Sequence, residues 1–158
     1  MTTVGRITSL TLSNGGVPKL PVSSSHITAA GLTGDRQHNL KFHGGPDRAV
    51  CLLAQEIIDE LAAQGHPIRP GSTGENITIA GLTWSTITPG TQLTIAGSVV
   101  LEITSYTAPC SKIAKSFIAG VYNVLDQQKN PGRSRLYARV LKPGTITVGE
   151  SVGVIACG

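Results

Sequence analysis

The stretch that decides the fold is Val99-Val100-Leu101-Glu102-Ile103-Thr104-Ser105-Tyr106-Thr107-Ala108-Pro109-Cys110-Ser111-Lys112-Ile113. Its first six residues alternate β-branched or aliphatic side chains with others, which predicts a half-buried strand. Pro109 cannot donate to a strand ladder, so the chain leaves the sheet there. Beyond Cys110 the apolar spacing is helical, and Ser111 is a candidate helix cap. The stretch therefore predicts a strand that delivers one cysteine to the start of a helix.

Cys110 has two interpretations. A helix N-terminus and the ammonium groups of Lys112 and Lys115 would both favour the thiolate, which attacks electrophiles and binds soft metals. A cysteine of an intracellular protein is more often a small hydrophobe, as we expect for Cys51 within the apolar run 49–53. The proline and the polar neighbours of Cys110 favour a functional thiol.

The composition indicates one mainly β domain covering residues 1–158. Aromatic residues make up only 4% of the chain and there are 19 glycines, so the core must be built from aliphatic side chains on a framework rich in turns. Short strands with frequent turn signals predict a mixed, mainly β fold, a β-barrel with two or three short helices. We expect strands near 4–12, 19–22, 25–28, 49–53, 77–79, 91–95, 99–104, 135–141, 145–148 and 151–155, and helices after residues 54, 110 and 120.

The charge and cysteine patterns exclude several classes of protein. The net charge is +4, but the 13 Lys and Arg residues are scattered, which favours a small anionic ligand over a nucleic acid polymer. The three cysteines have no paired spacing, so neither a disulfide framework nor a zinc site is indicated. The N-terminus has no apolar signal region and no apolar run is long enough to cross a membrane, so we expect a cytoplasmic protein with no membrane partner.

Polar chemistry is concentrated in four places, which one rim of the barrel could gather. They are the His43 loop, the Glu75-Asn76 turn, the Cys110 loop and the 133–139 segment. Glycine amides could donate to phosphate or pterin oxygens, and arginines could grip an anion; the candidates are Gly44, Gly45, Gly74, Arg36, Arg48, Arg135 and Arg139. Each also has a plain alternative, since His43 can satisfy a backbone carbonyl, Asn76 can form a turn, and alternating arginines can line the wet face of a strand.

Six motifs, taken in order, resemble the MOSC domain family, named after the C-terminal domain of molybdenum cofactor sulfurase. They are Gly-Leu-x-Gly-Asp-Arg at 31–36, His-Gly-Gly-Pro-Asp-Arg-Ala-Val at 43–50, Gly-Glu-Asn-Ile-Thr at 74–78, Pro-Cys-Ser-Lys-Ile at 109–113, Tyr-Ala-Arg-Val-Leu at 137–141 and Gly-x-Ile-x-Val-Gly-Glu at 144–150. The resemblance spans nearly the whole chain.

The resemblance implies the MOSC fold and a molybdenum cofactor, Mo-molybdopterin, with Cys110 as the catalytic residue and metal ligand. By the same analogy the protein is a molybdenum-dependent oxidoreductase that reduces N-hydroxylated bases or related small molecules. Thiolate is a suitably soft donor for such a metal. The cofactor-binding residues implied are Arg36, His43, Gly44, Gly45, Arg48, Glu75, Asn76, Lys112, Arg135 and Arg139.

Two alternatives to a reductase stay open. Cys110 could carry a persulfide, with a cysteine desulfurase as partner, or the domain could bind the cofactor without turnover. Many relatives have an arginine shortly before the Pro-Cys pair, where this chain has Tyr106-Thr107-Ala108, so a phosphate contact from that side is in doubt. The chain also lacks the extra domains of some relatives, so we expect that electrons either come from a separate reductase or are not delivered at all.

Overall fold

The structure is a computed structural model, which describes residues 4–13, 17–35 and 46–155. Its strands are β1 (Val4–Leu12), β2 (Leu20–Val22), β3 (Ser24–Thr28), β4 (Gly31–Leu32), β5 (Val50–Ala54), β6 (Ile77–Ala80), β7 (Gln92–Ile95), β8 (Val99–Tyr106), β9 (Leu136–Lys142), β10 (Gly144–Thr147) and β11 (Ser151–Ile155). Within these ranges there is one α-helix, α1 (Gln55–Ala63). Short 3₁₀-helices cover Pro46–Arg48, Trp84–Thr86, Ser111–Ser116, Ile118–Gly120 and Tyr122–Leu125.

Seven strands close into a barrel in the order β11-β7-β8-β9-β5-β6-β1, because β1 also pairs with β11. β2 pairs with residues 10–12 of β1, at the opposite end of that strand from residues 4–6, which pair with β11. β10, β3 and β4 form a second small sheet. Within the barrel the pairs are antiparallel except β5 with β6. The predicted mainly β barrel is therefore confirmed.

The core is aliphatic, as the composition predicts. Ile7, Leu52, Ile77, Leu93 and Leu101 are fully buried within it. In β8 the buried positions are 99, 101 and 103 and the intervening ones are half-buried. This alternation confirms the half-buried strand predicted from the sequence.

Helix α1 connects the parallel strands β5 and β6. Parallel neighbours need a crossover rather than a tight hairpin, and α1 is part of that crossover. Ile57, Ile58 and Leu61 form its buried face. Gly65 follows the helix with a φ of +98°, the left-handed conformation that ends many helices. No helix in the described part of the chain is long and apolar enough to cross a membrane.

The helix predicted after Cys110 is wrong in type. The segment Ser111–Ser116 is a 3₁₀-helix in which Ser111 is the first residue, and Cys110, not Ser111, occupies the capping position without a side-chain cap. Phe117 then turns extended, with φ −132° and ψ 145°. The predicted helix after residue 120 is also a 3₁₀-helix, Tyr122–Leu125. Cys110 therefore does not lie at the N-terminus of an α-helix, and that argument for a thiolate lapses.

Candidate functional site

Cys110 lies on the loop that joins β8 to the 3₁₀-helix Ser111–Ser116, and it is half-buried. The loop stays close to the barrel because the Thr107 amide donates to the Arg135 carbonyl at 2.9 Å, just beyond the paired ends of β8 and β9. On the other side of the cysteine, Ile113 is buried in the core. The sequence thus folds so that the thiol is held between two anchored positions, outside the core.

Cys51 contrasts with Cys110, because it is buried in β5 as predicted. Its Sγ lies 3.7 Å from Thr107 Oγ1. Burial raises the pKa of the Cys51 thiol, although the positive charge of Arg135 acts in the opposite direction. Cys51 is therefore a core residue, while Cys110 is the more accessible of the two.

Arg135 is only 6% exposed, although its residue type suggested a surface grip for an anion. Its Nη1 donates to the Thr73 carbonyl at 2.5 Å, and its Nη2 lies 3.4 Å from the Ala108 carbonyl. Its Nε has no hydrogen-bond partner among the described residues. Two arms of the guanidinium thus join the turn before β6 to the loop of Cys110.

Glu75 is fully buried in the turn before β6. Its Oε2 accepts a hydrogen bond from the Thr73 hydroxyl, and its Oε1 has no partner in the described part of the chain. Burial raises the pKa of the Glu75 carboxyl, against the opposing effects of the Thr73 hydroxyl, Arg135 and the Gly71 amide. The side chain faces the protein interior and not solvent.

Asn76 is also buried, and its amide links three parts of the chain. Its Oδ1 accepts from the Cys51 amide at 3.0 Å, and its Nδ2 donates to Asp35 Oδ2 at 2.8 Å. A longer contact of 3.4 Å joins Nδ2 to the Thr11 carbonyl. The side chain is therefore committed to cross-linking β1, β5 and the segment of Asp35, which goes beyond forming a turn.

Sequence reasoning missed the buried pair Lys19 and Asp35. Lys19 Nζ lies 2.7 Å from Asp35 Oδ1, and each side chain is 5% exposed. The Ser13 amide donates to the same carboxylate at 2.9 Å. Asp35 lies within the Gly-Leu-x-Gly-Asp-Arg motif, which could have drawn attention to it, whereas nothing in the sequence around Lys19 indicates burial.

Arg48 and Arg139 lie together on the outer side of β9. The Arg48 guanidinium is 5.4 Å from the centre of the Tyr137 ring. Burial, more than any other influence, raises the pKa of Tyr137 to about 12. Arg139 is 44% exposed and pairs with Glu102 at 3.2 Å and with Asp47 at 3.7 Å. The two carboxylates near Arg139 partly offset its positive charge, so Arg139 attracts an anionic ligand less strongly.

The structure brings some predicted site residues together and leaves others apart. Glu75, Arg135 and the Cys110 loop meet through Thr73 and Ala108. Lys112 is exposed two residues after Cys110. Four predicted cofactor contacts lie outside the described residues, namely Arg36, His43, Gly44 and Gly45. In the part of the chain that the structure covers, no group of three or more His, Cys, Asp or Glu residues could hold a metal ion.

Known proteins resemble the chain in sequence. It is 31% identical over 147 residues to the uncharacterized protein YflK of Bacillus subtilis, a match covering 90% of this chain and 64% of that protein. Protein YiiM of Escherichia coli is 27% identical over 134 residues, covering 82% of this chain and 58% of YiiM. The chain therefore spans about three fifths of the length of these curated relatives.

Solved structures share the fold. The YUAD protein from Bacillus subtilis superimposes with a TM-score of 0.78 at 16% identity, covering 100% of this chain and 99% of that one. YiiM from Geobacillus stearothermophilus gives 0.75 at 23% identity, covering 96% of this chain and 75% of that one. The family model described as the MOSC domain matches residues 39–153. The barrel thus agrees with these solved structures, and by the family-model match the chain belongs to the MOSC domain family.

Proposed function

We propose that this protein binds the molybdenum cofactor through Cys110 and reduces N-hydroxylated bases or related compounds. Membership of the MOSC family supports the cofactor class. The observation that carries the assignment is the placement of the two described thiols, since Cys51 is buried in the barrel and Cys110 is half-buried on a loop. A soft metal needs an accessible thiolate, and of these two cysteines only Cys110 can present one without opening the core.

The residues around Cys110 fit an anionic cofactor in their chemistry. The thiol is a soft donor, and Lys112, two residues further along the chain, is exposed. Cys110 would hold the metal, while Lys112 and Arg48 would offset negative charge on the cofactor. Arg36, His43, Gly44 and Gly45 remain proposed contacts on the basis of family resemblance.

The reaction sets a requirement for a partner. Converting an N–OH group to N–H consumes two electrons and two protons and releases water. The bound cofactor would supply the redox chemistry, and the protein would supply binding and orientation. We propose that the electrons come from a separate reductase.

The decisive experiment is to measure molybdenum and pterin in protein purified from cells that make the cofactor. Parent, Cys110→Ala and Cys51→Ala are compared, each checked for folding by circular dichroism. We expect molybdenum in the parent and in Cys51→Ala, and its loss from Cys110→Ala. Cys51→Ala is the matched control, because it removes a thiol that is buried in the core of the same protein.

Two results would contradict the proposal. If Cys110→Ala retained the metal, Cys110 would not be the ligand. If no folded protein contained molybdenum, the assignment would move to the sulfur-carrier alternative. That alternative predicts a sulfur adduct on Cys110, visible by mass spectrometry after incubation with a cysteine desulfurase and absent from Cys110→Ala.

A further inference from the structure

The loop of Cys110 (residues 107–116) is tied to the turn before β6 (residues 69–76) on both sides of the cysteine. Two residues before Cys110, the Ala108 carbonyl faces Arg135 Nη2 at 3.4 Å, and the same guanidinium donates to Thr73 of the turn. Six residues after Cys110, Ser116 Oγ lies 2.9 Å from Ser72 Oγ. Arg135 and Ser116 are almost fully buried, as is Ser72, so water does not readily replace the bond between the two serines, whereas Ala108 is exposed.

The 69–76 turn is itself fixed to the barrel. The Lys19 amide donates to the Gly71 carbonyl at 2.9 Å, and Thr11 Oγ1 donates to the Glu75 carbonyl at 2.5 Å. A Cβ added at Gly71 would lie 2.4 Å from the Lys19 carbonyl oxygen, so the turn fits closely against the chain beside β1. The contacts therefore form a continuous connection from β1 through the turn to the Cys110 loop.

We infer that Arg135 and Ser116 are positioning residues, which hold the Cys110 loop against the 69–76 turn and so fix where the thiol lies. This inference deepens the proposed function and rests on it, because a fixed thiol matters only if Cys110 is the reactive group. It also changes the role expected of Arg135. The Arg135 guanidinium contacts two backbone carbonyls. We therefore expect it to influence the reaction by fixing the position of Cys110.

The structure favours this role over simple stabilisation of the barrel. Glu75, Thr73 and Arg135 form a buried polar group, and replacing such a group by apolar side chains of similar volume often leaves a fold equally stable. These hydrogen bonds instead fix the relative orientation of the segments that they join, because each has a preferred geometry. The two contacts meet the Cys110 loop before and after the cysteine in sequence, so the thiol lies between two tethered positions.

Hydrogen exchange measured by mass spectrometry tests the inference on protein without added cofactor or substrate. The variants are Ser116→Ala, Arg135→Gln and Arg135→Lys, with Arg139→Gln as the matched control on an exposed position of β9, the strand that begins just after Arg135. Losing one net hydrogen bond should raise the opening equilibrium of the loop about fivefold. We expect this rise in peptides covering 107–116 for Ser116→Ala and Arg135→Gln, a smaller rise for Arg135→Lys, and none for Arg139→Gln.

A second measurement follows the thiol itself. Peptide mass spectrometry gives the rate at which iodoacetamide modifies Cys110. This rate should differ most from that of the parent in Ser116→Ala and Arg135→Gln, less in Arg135→Lys, and not at all in Arg139→Gln. A residue that only stabilised the barrel would instead raise exchange in β7 as much as in the loop.

The inference would be overturned by parental exchange in the loop of both Ser116→Ala and Arg135→Gln. It would also be overturned by an equal rise throughout the barrel. Neither readout needs molybdenum, so failure here leaves the cofactor assignment intact, and failure to find molybdenum leaves this result intact.

Discussion

Asp35→Ala is expected to destabilise the protein by about 3–5 kcal/mol, the cost of removing one partner of a buried ion pair. The Asp35 carboxylate accepts from Lys19 at 2.7 Å, from the Ser13 amide at 2.9 Å and from Asn76 at 2.8 Å. The side chains of Lys19 and Asp35 are each 5% exposed. The substitution would therefore leave an ammonium group in the interior with neither its counter-ion nor ready access to water.

Two comparisons separate the buried charge from other effects. Lys19→Met leaves Asp35 with two of the three donors that the described residues supply, so its cost should be smaller than that of Asp35→Ala. The double variant removes both charges, and it should cost less than the sum of the single variants by about 0.5–3 kcal/mol. The exposed pair Arg133–Glu60, at 3.0 Å and 29% and 53% exposed, is the matched control. Glu60→Ala should cost no more than about 1 kcal/mol.

Urea unfolding followed by circular dichroism measures these free energies, provided that the slope m stays the same among variants. The reasoning would be refuted if Asp35→Ala cost no more than Glu60→Ala at equal m. In that case the pair would be screened by solvent, and the cluster around Asn76 would not be a closed part of the interior.

Three further predictions concern burial and backbone geometry. Burial raises the pKa of Glu75, so the native state keeps the proton to higher pH and its stability falls as pH rises from the unfolded pKa of about 4.3 towards the folded pKa. Glu75→Gln removes that fall, so its stability relative to the parent should increase across this window in a pH series of urea unfolding, and parallel curves would contradict the assignment. Thermal unfolding should show that Gly71→Ala lowers the free energy of unfolding by about 1–3 kcal/mol more than Gly90→Ala does. Both glycines have positive φ, but only at Gly71 would the added Cβ meet a backbone oxygen, at 2.4 Å; equal losses would count against the close fit. Iodoacetamide at pH 8 should modify Cys110 and spare Cys51 in the native protein, because burial both covers the Cys51 thiol and raises its pKa; equal labelling in a peptide map would disprove this.

The barrel could be predicted because its signals are local. The alternation of β8, the turn at Ala96 and Gly97 with φ of 52° and 71°, and the apolar face of α1 each lie within a few residues of sequence. The 3₁₀-helix after Cys110 could not be predicted in this way. Its end depends on Ser116, whose side chain bonds to Ser72, 44 residues earlier in the chain. An apolar spacing cannot report such a contact.

The sequence draws attention to Glu75, Asn76 and Arg135 but does not indicate that they are buried. Arg and Glu are rarely buried unless paired, so their residue types favour ligand contacts for Arg135 and Glu75. Their partners are set by the tertiary fold, as in the bond from Arg135 to Thr73, 62 residues away. The burial of Asp35 and Lys19 could not be predicted for the same reason, since distant segments cover these charges only in the folded protein.

The burial of Glu75, Asn76 and Arg135 changes which groups can meet an anionic cofactor. A side chain whose donors are used inside the protein must break those bonds before it can bind a ligand, and each net bond costs about 1 kcal/mol. Arg139 is already close to Glu102 and Asp47, so its positive charge is partly offset. Among the described candidates this leaves Lys112 as the exposed cation nearest to Cys110 in sequence. Under the proposed function, we therefore expect cofactor binding to depend directly on Cys110, Lys112 and Arg48, and to depend on the three buried residues only through the shape of the loop.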